Sequence, residues 1–452
     1  MKQHTQIKNQ ITEGVIWKQL LIFFFPIVFG TLFQQLYNTV DTLVLGRYVG
    51  KEALASVGGS SAQIVILIVG FFTGLSSGAS VVIAQFFGAQ DERRVQQSLH
   101  TAYAFSVIGS VVIGLLGILM APSLLRWMNT PPELLKSSII YLRIYFAGIL
   151  FIFIYNMGSA ILRAIGDSKH PLYYLIFCCF VNIVLDLLFV VLFHMGVTGA
   201  ALATLLSQAV SSLLVTHRLM TSKDLIQLKR KEIRIHRTVL RAQLRIGLPA
   251  GIQSVLYNIT NIIIQVALNS FGTDTVAAWS VYGKLDALFW MASGAFGVAI
   301  TTFVGQNFGA GKYDRVRKST LVCLGMDLGV SIVLTLFLLL ARIPLFRLFT
   351  SDTEVLRIGS IMMTHIVPWF TVFAFVEVLS GALRGIGDVV VPTLITLCGV
   401  CLLRIVWIVG VLQFSPTIQN IIFSYPLTWL LSAILFAAYY FYRIKKIGKI
   451  PA

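Results

Sequence analysis

Apolar stretches closed by short polar turns recur along the whole chain. Several contain no Asp, Glu, Lys or Arg, among them Gln19–Val40, Ala53–Gln90, Val95–Leu125, Ile144–Leu162, Leu187–His217, Ile246–Thr273 and Ile405–Tyr442. About 20 apolar residues carry one helix across a bilayer, so the longest runs hold parts of two. Turn signals such as "HMGVTG" (194–199), "NSFGTD" (269–274) and "FSPT" (414–417) cut the runs into twelve predicted spans. These lie at 17–45, 54–86, 98–121, 136–162, 170–193, 198–220, 243–270, 275–304, 318–341, 355–383, 391–413 and 419–442. The pattern predicts an all-α polytopic membrane protein.

Composition supports the bilayer. Of 452 residues, 57% are hydrophobic and 12% charged, with a mean hydropathy of +0.85; soluble domains carry about 25% charge. Residues 1–16 are polar and the apolar stretch after them is too long for a secretory leader, so no cleaved signal is expected. The five cysteines, Cys178, Cys179, Cys323, Cys398 and Cys401, all fall inside predicted spans. They are read as small buried hydrophobes, including the CxxC of Cys398 and Cys401.

The net charge of +17 gains its meaning from where it sits. With the N-terminus in the cytoplasm, 25 Lys and Arg fall on the inner side and seven on the outer. That bias places both termini in the cytoplasm and requires an even number of spans. The positive charge is a topology signal and a contact for anionic membrane lipids, and no folded basic domain exists to bind nucleic acid.

The chain also repeats itself. "SAILRAIGDSKHP" (159–171) returns as "SGALRGIGDVVVP" (380–392), and "QFFGAQDERRV" (85–95) as "QNFGAGKYDRV" (306–316), both 221 positions on. "FPIVFG" at 25–30 is echoed by "LPAGIQ" at 248–253. Six spans therefore resemble the next six, as two pseudo-symmetric six-helix bundles in parallel repeat. The expected division is a cytoplasmic segment 1–16, an N-terminal bundle 17–220, a basic cytoplasmic linker 221–242, a C-terminal bundle 243–442 and a tail 443–452. Such duplication points to an alternating-access carrier with its cavity between the bundles.

Ionisable residues inside spans are costly and mark function. Asp41 lies roughly 36 Å along the first span, Asp186 about 22 Å up the fifth, and Thr204 about 10 Å below the outer surface on the sixth. Gln34, Tyr37 or Asn38, and Asp41 share one helical face, and Asn182 and Asp186 are i, i+4. Amides and a hydroxyl around two carboxylates suit a shared proton or a small cation such as sodium. The bland alternative is that Asp41 reaches the outer interface; the matching depth of Asp186, Asn182 and Thr204 favours the functional reading.

The second half does not copy the pair. Asn261 stands near the equivalent of Asp41 and Trp407 opposite Asp186, while Lys284, Asp286, Asp327, Glu377 and Arg404 are its own charges at depth. Glu377 is the register partner of Asn156. Pro26 interrupts the first span and is a candidate hinge.

At these residues the sequence resembles the multidrug and toxic compound extrusion (MATE) family over nearly its whole length. The paired "QFFGA"/"QNFGA" and "LRAIGD"/"LRGIGD" loops carry the resemblance, and the Asp41–Asp186 pair is similar to the prokaryotic DinF-like branch. The resemblance implies that Asp41 carries the coupling proton, assisted by Asp186, with Gln34, Asn156, Asn182 and Thr204 in the surrounding polar network and bending at Pro26. The acidic site of the NorM-like branch includes a glutamate in the seventh span, where this chain has Tyr257; Asp286 and Glu377 keep some second-half acidity.

The expected function is a cation-coupled antiporter, with H+ ahead of Na+, exporting amphipathic and often cationic small molecules from the cell by alternating access. It is expected in the cytoplasmic membrane, monomeric, without a cofactor, and not an enzyme: no HExxH, P-loop or GxSxG occurs. The rival of the same architecture is a flippase for lipid-linked precursors, which would want a basic cleft. Only Lys284, Arg143 and Arg404 lie at membrane depth.

Overall fold

The computed structural model describes residues 10–222 and 226–447. The parts of the N-terminal segment, the linker and the tail at 1–9, 223–225 and 448–452 lie outside the described residues. Among the described residues, twelve helices are long and apolar enough to cross a membrane: α1 Ile16–Tyr48, α2 Lys51–Gly88, α3 Glu92–Trp127, α4 Pro132–Ala164, α5 Lys169–Leu192, α6 Gly196–Thr221, α7 Arg237–Asn269, α8 Thr273–Gly309, α9 Tyr313–Leu340, α10 Thr353–Gly385, α11 Val390–Phe414 and α12 Ile418–Ile447. No strand occurs among the described residues. The outward faces are apolar: Leu119, Leu340 and Phe414 are 73%, 81% and 88% exposed, an arrangement that water does not tolerate and lipid does.

The helices outrun the predicted spans because charged residues beyond the hydrocarbon remain helical. α3 begins at Glu92, six residues before its apolar stretch, and Asp91 caps it by accepting the Arg94 N–H at 3.0 Å. α7 begins at Arg237, so Arg237, Arg241 and Arg245 are helical.

By packing, the chain divides into two compact units, residues 25–251 and residues 1–24 with 252–452. α1 changes unit between Phe24 and Phe25, next to Pro26, and α7 between Gly251 and Ile252, two residues past Pro249. Both prolines sit within continuous helix.

In the first of these units the beginning of α7 packs on α2 through glycines. A Cβ on Gly74 would lie 2.3 Å from the Gly251 nitrogen, and one on Gly78 would lie 2.3 Å from the Gln243 carbonyl oxygen. Gly74–Gly78 and Gly247–Gly251 are each a GxxxG, the spacing that lets two helix backbones meet. The Gln243 amide donates to Ser98 O at 3.0 Å. The linker docks on the start of α3: Ile226 and Leu228 are buried, and the Lys229 and His236 amides donate to His100 Nε2 (3.0 Å) and Thr101 Oγ1 (3.1 Å). Phe72 stacks on Phe153 at 4.1 Å in the core.

In the other unit the beginning of α1 packs on α8 through aromatic rings, Phe24 on Phe296 at 4.2 Å and Phe23 edge-on to Phe303 at 6.1 Å. Arg315 donates to the carbonyls of Ile11 and Gly14, and Lys312 to Thr12 O at 3.1 Å. Phe289 stacks on Phe370 at 4.0 Å in this unit's core, with Phe373 and Trp429 beside them.

The repeated phrases are repeated turns. Gly166 and Gly387 hold φ of 96° and 83°, and each bonds back to an arginine carbonyl, Arg163 and Arg384, at 2.9 Å. The next residues, Asp167 and Asp388, bond back to Leu162 and Leu383 at 2.9 and 3.0 Å, ending the helix the same way twice. Their carboxylates then tie the turn to the sixth helix of each repeat: Asp167 faces Arg218 of α6, and Asp388 accepts from Tyr439 (2.7 Å) and Arg443 of α12. The other duplicated loop matches too, with positive φ at Gln90 and Gly311.

Four of the five thiols are buried as expected, whereas Cys398 is exposed on α11. Cys398 and Cys401 differ in burial because both lie in a π-helical turn, Leu397–Leu402, whose wider winding separates i and i+3 further than an α-helix does.

Candidate functional site

The outer part of α1 presents two faces. Tyr37 is buried and Asp41 partly buried, whereas Gln34 and Asn38 are exposed. One residue is about 100° of helix rotation, so Tyr37, at i−4 from Asp41, joins the inner face and Asn38 does not. Gln34 reaches Tyr37 from the edge of that face.

On α5, Asn182 and Asp186 are both 0% exposed. Asp186 ends the regular α-helix, and a π-helical turn, Leu187–Leu192, follows directly; such wide turns re-aim neighbouring side chains. On α6, Thr204 is half-buried and donates to Ala200 O at 3.1 Å.

These elements converge. The polar groups acting on the Asp41 carboxyl are Asp186 of α5, Thr204 of α6 and Asn182 of α5. Among the described residues, no basic side chain acts on either carboxyl. Asp41 Oδ1, both oxygens of Asp186 and both amide atoms of Asn182 are shielded and close no hydrogen bond of ordinary geometry among the described residues. Two like charges drawn together away from water are relieved when one takes a proton or a small cation comes between them. The donor set, two carboxylates with an amide and a hydroxyl, serves either.

Two predicted members stand apart and one unpredicted group stands near. The Asn156 amide of α4 donates to Ile152 O at 2.9 Å and is not among the groups acting on Asp41. Tyr141 of α4 is close to Asp41, Asp186 and Tyr37, and its ring stacks with Tyr145 at 6.4 Å. The signal in the sequence was the i, i+4 tyrosine pair in "YLRIYF" at 141–146. Pro26 lies within helical α1, fifteen residues before Asp41.

The second-half residues form two groups. Asp286 of α8 accepts from Trp290 Nε1 at 2.6 Å and Tyr282 OH at 3.1 Å, and Tyr257 of α7 meets the Trp290 ring edge-on at 6.0 Å. Lys284 points away and is exposed over the Phe349 ring at 5.2 Å. Glu377 of α10 lies against Gly297 and joins Asp327 and Arg384; Asp327 accepts from Ser293 at 3.0 Å. Trp407 donates to Asn420 O at 2.8 Å.

The MatE family profile matches residues 26–188 and 249–409, one match in each repeat. The chain belongs to the MatE family. This MatE protein is a multidrug efflux family transporter spanning the membrane several times, not an enzyme. It is 30% identical over 399 residues to the probable multidrug resistance protein YpnP of Bacillus subtilis, covering 87% of this chain and 88% of that one. It is 26% identical over 452 residues to the probable multidrug resistance protein YoeA of the same organism, covering 98% and 97%. Its fold matches an outward-facing multidrug resistance MATE family transporter with a TM-score of 0.91 at 23% identity, over 98% of both chains.

Proposed function

We propose that this MatE transporter is a proton-coupled antiporter that exports amphipathic, often cationic small molecules across the cytoplasmic membrane, with both termini in the cytoplasm. The observation that carries the reading is the convergence of Asp41 and Asp186 with Asn182 and Thr204, without a basic partner among the described residues. Carboxylates so placed exchange a proton with the medium when their side opens and hold it when their side closes. Proton arrival at Asp41 removes a negative charge that a cationic compound requires, so the proton and the drug compete for one site. Pro26, beside the point where α1 changes unit, is the position at which α1 bends. The multidrug resistance names of the relatives support the substrate class.

The test is ethidium transport in everted membrane vesicles, with a proton gradient or a sodium gradient imposed in turn. Export that follows the proton gradient alone is expected. Export that follows sodium alone would assign the same four oxygen-bearing side chains to sodium and overturn the choice of ion.

A further inference from the structure

Arg404 of α11 is 0% exposed and sits away from the Asp41–Asp186 group in sequence, fold unit and sign. It follows directly on a π-helical turn, Leu397–Leu402, within α11. There α11 approaches α12 closely, since a Cβ on Gly399 would lie 2.7 Å from Ser432 Oγ. The widened turn and the close helix contact aim the guanidinium into the second bundle.

Its partners are few. One terminal nitrogen donates to Thr428 Oγ1 at 2.9 Å, and the guanidinium carbon lies 4.1 Å from the centre of the Tyr425 ring. The Thr428 hydroxyl is itself turned to Ser424 O at 2.7 Å, which fixes the oxygen lone pairs toward Arg404. The other terminal nitrogen and Nε are shielded and have no hydrogen-bond partner among the described residues. No carboxylate stands within ion-pair distance of Arg404 there. Asp286 acts on the same two tyrosines as Arg404, and one of its oxygens is held by Trp290 and the other by Tyr282. Tyr257 and Tyr425 are within electrostatic reach of both charges, and the Tyr257 hydroxyl faces Arg404 but closes no hydrogen bond of ordinary geometry among the described residues.

A guanidinium is never neutral in a protein, and a buried charge with two free donors is stable only when an anion completes it. Nε and the free terminal nitrogen lie on different edges of the guanidinium, and each offers a charge-assisted donor to a carboxylate or phosphate oxygen. The adjoining tyrosine and tryptophan rings supply a flat apolar wall. We infer that Arg404, with Thr428 and Tyr257, is an anion subsite that receives the carboxylate of amphiphilic aromatic substrates bearing both charges. The proposal rests on the exporter reading and extends it by naming a carboxylate as a group that an exported compound can carry to Arg404.

Rhodamine B carries a free carboxylate, and its ethyl ester is the same dye without one. Binding of both dyes to the purified full-length protein is measured by fluorescence anisotropy in a neutral detergent, with no gradient present. The wild type is expected to bind the free acid more tightly than the ester. Arg404→Gln is expected to cut that acid-over-ester preference about tenfold, as loss of a charge-assisted pair would, and Arg404→Lys to cut it less.

A wild type with no preference for the free acid overturns the proposal, whether or not any variant folds. A preference that persists in Arg404→Gln overturns it too. Thr428→Val, which removes the orienting hydroxyl, should lower the preference severalfold. A phosphate headgroup offers the same chemistry as a carboxylate. The wild type is therefore remeasured in nanodiscs of phosphatidylcholine with and without phosphatidylglycerol, and an Arg404-dependent loss of dye preference with the anionic lipid would give the subsite to lipid instead. Because binding is read at equilibrium, its failure leaves the proton-coupling reading standing, and failure of proton-driven ethidium export leaves the acid preference standing.

Discussion

Asp41 of α1 meets Asp186 of α5 with no basic side chain acting on either carboxyl among the described residues. Under the proposed coupling, a proton taken up by two carboxyls this close is shared by the pair. Asp41→Asn is expected to reduce proton-driven ethidium export in vesicles to the background of empty membranes. Asp186→Asn should be nearly as damaging, and the double variant no worse than Asp41→Asn alone, because residues that act together are not additive. Thr204→Val, which removes one oxygen from the set, should cost severalfold rather than everything. Wild-type export by Asp41→Asn would end the proposal.

The glycine seam between α2 and α7 makes a prediction about stability rather than transport. Gly78 approaches the Gln243 carbonyl and Gly247 so closely that any side chain must force the helices apart. Gly78→Ala is expected to cost about 2 kcal/mol and Gly78→Leu more, read as earlier thermal unfolding of the purified protein. Gly410→Ala on α11 meets nothing within 4 Å and serves as the control. Equal melting of the two alanine variants would mean that the seam relaxes freely.

Much of this was legible in the sequence, and the parts that were not share a physical cause. Hydropathy located all twelve spans because it measures the hydrocarbon that each helix crosses. It missed the helix ends because Glu92 and Arg237 lie in water and are helical all the same. Asp41, Asn182, Asp186 and Thr204 stood out because polar groups at one depth are rare in lipid. Spacing alone left Tyr37 and Asn38 undecided, since periodicity does not say which of two adjacent residues faces the neighbouring helix, whereas Asn156 entered only through the family resemblance, and its amide bonds to Ile152 O. Tyr141 escaped notice because a tyrosine in a span is ordinary until two carboxylates are found beside it. The change of unit at Phe24 and Gly251 had no sequence signal beyond Pro26 and Pro249.

The duplicated turns should respond alike in both halves. Gly166 and Gly387 hold left-handed backbone, a conformation that costs an ordinary residue about 1–2 kcal/mol. Gly166→Ala and Gly387→Ala are each expected to lower the unfolding temperature by a similar amount. Asp388→Asn should add a second effect by weakening the tie to Tyr439 and Arg443 of α12. Limited proteolysis at residues 386–392 would report it, and unchanged cleavage would show that the carboxylate does not hold the turn closed.

The linker's attachment to α3 depends on neutral histidine. His100 shares Nδ1 with the Gln96 carbonyl at 2.7 Å and Nε2 with the Lys229 amide at 3.0 Å. A carbonyl cannot donate and an amide nitrogen cannot accept, so the proton sits on Nδ1 and Nε2 is the acceptor. His236, whose amide donates to Thr101 Oγ1 at 3.1 Å, is held below the usual histidine range by burial first, then by Arg234, His100 and Arg93. A histidine depressed on folding contributes stability above its unfolded pKa, and that stability is lost as pH falls through the folded value. Hydrogen exchange at residues 226–236, corrected for the intrinsic pH dependence, should therefore quicken from neutral to mildly acidic conditions. His100→Phe should quicken it at neutral pH already, by removing the acceptor for the Lys229 amide. His236→Asn should flatten part of the acid response by removing one titration. Protection that is indifferent to both pH and His100→Phe would mean that Ile226 and Leu228, buried beneath the linker, hold it without the histidines.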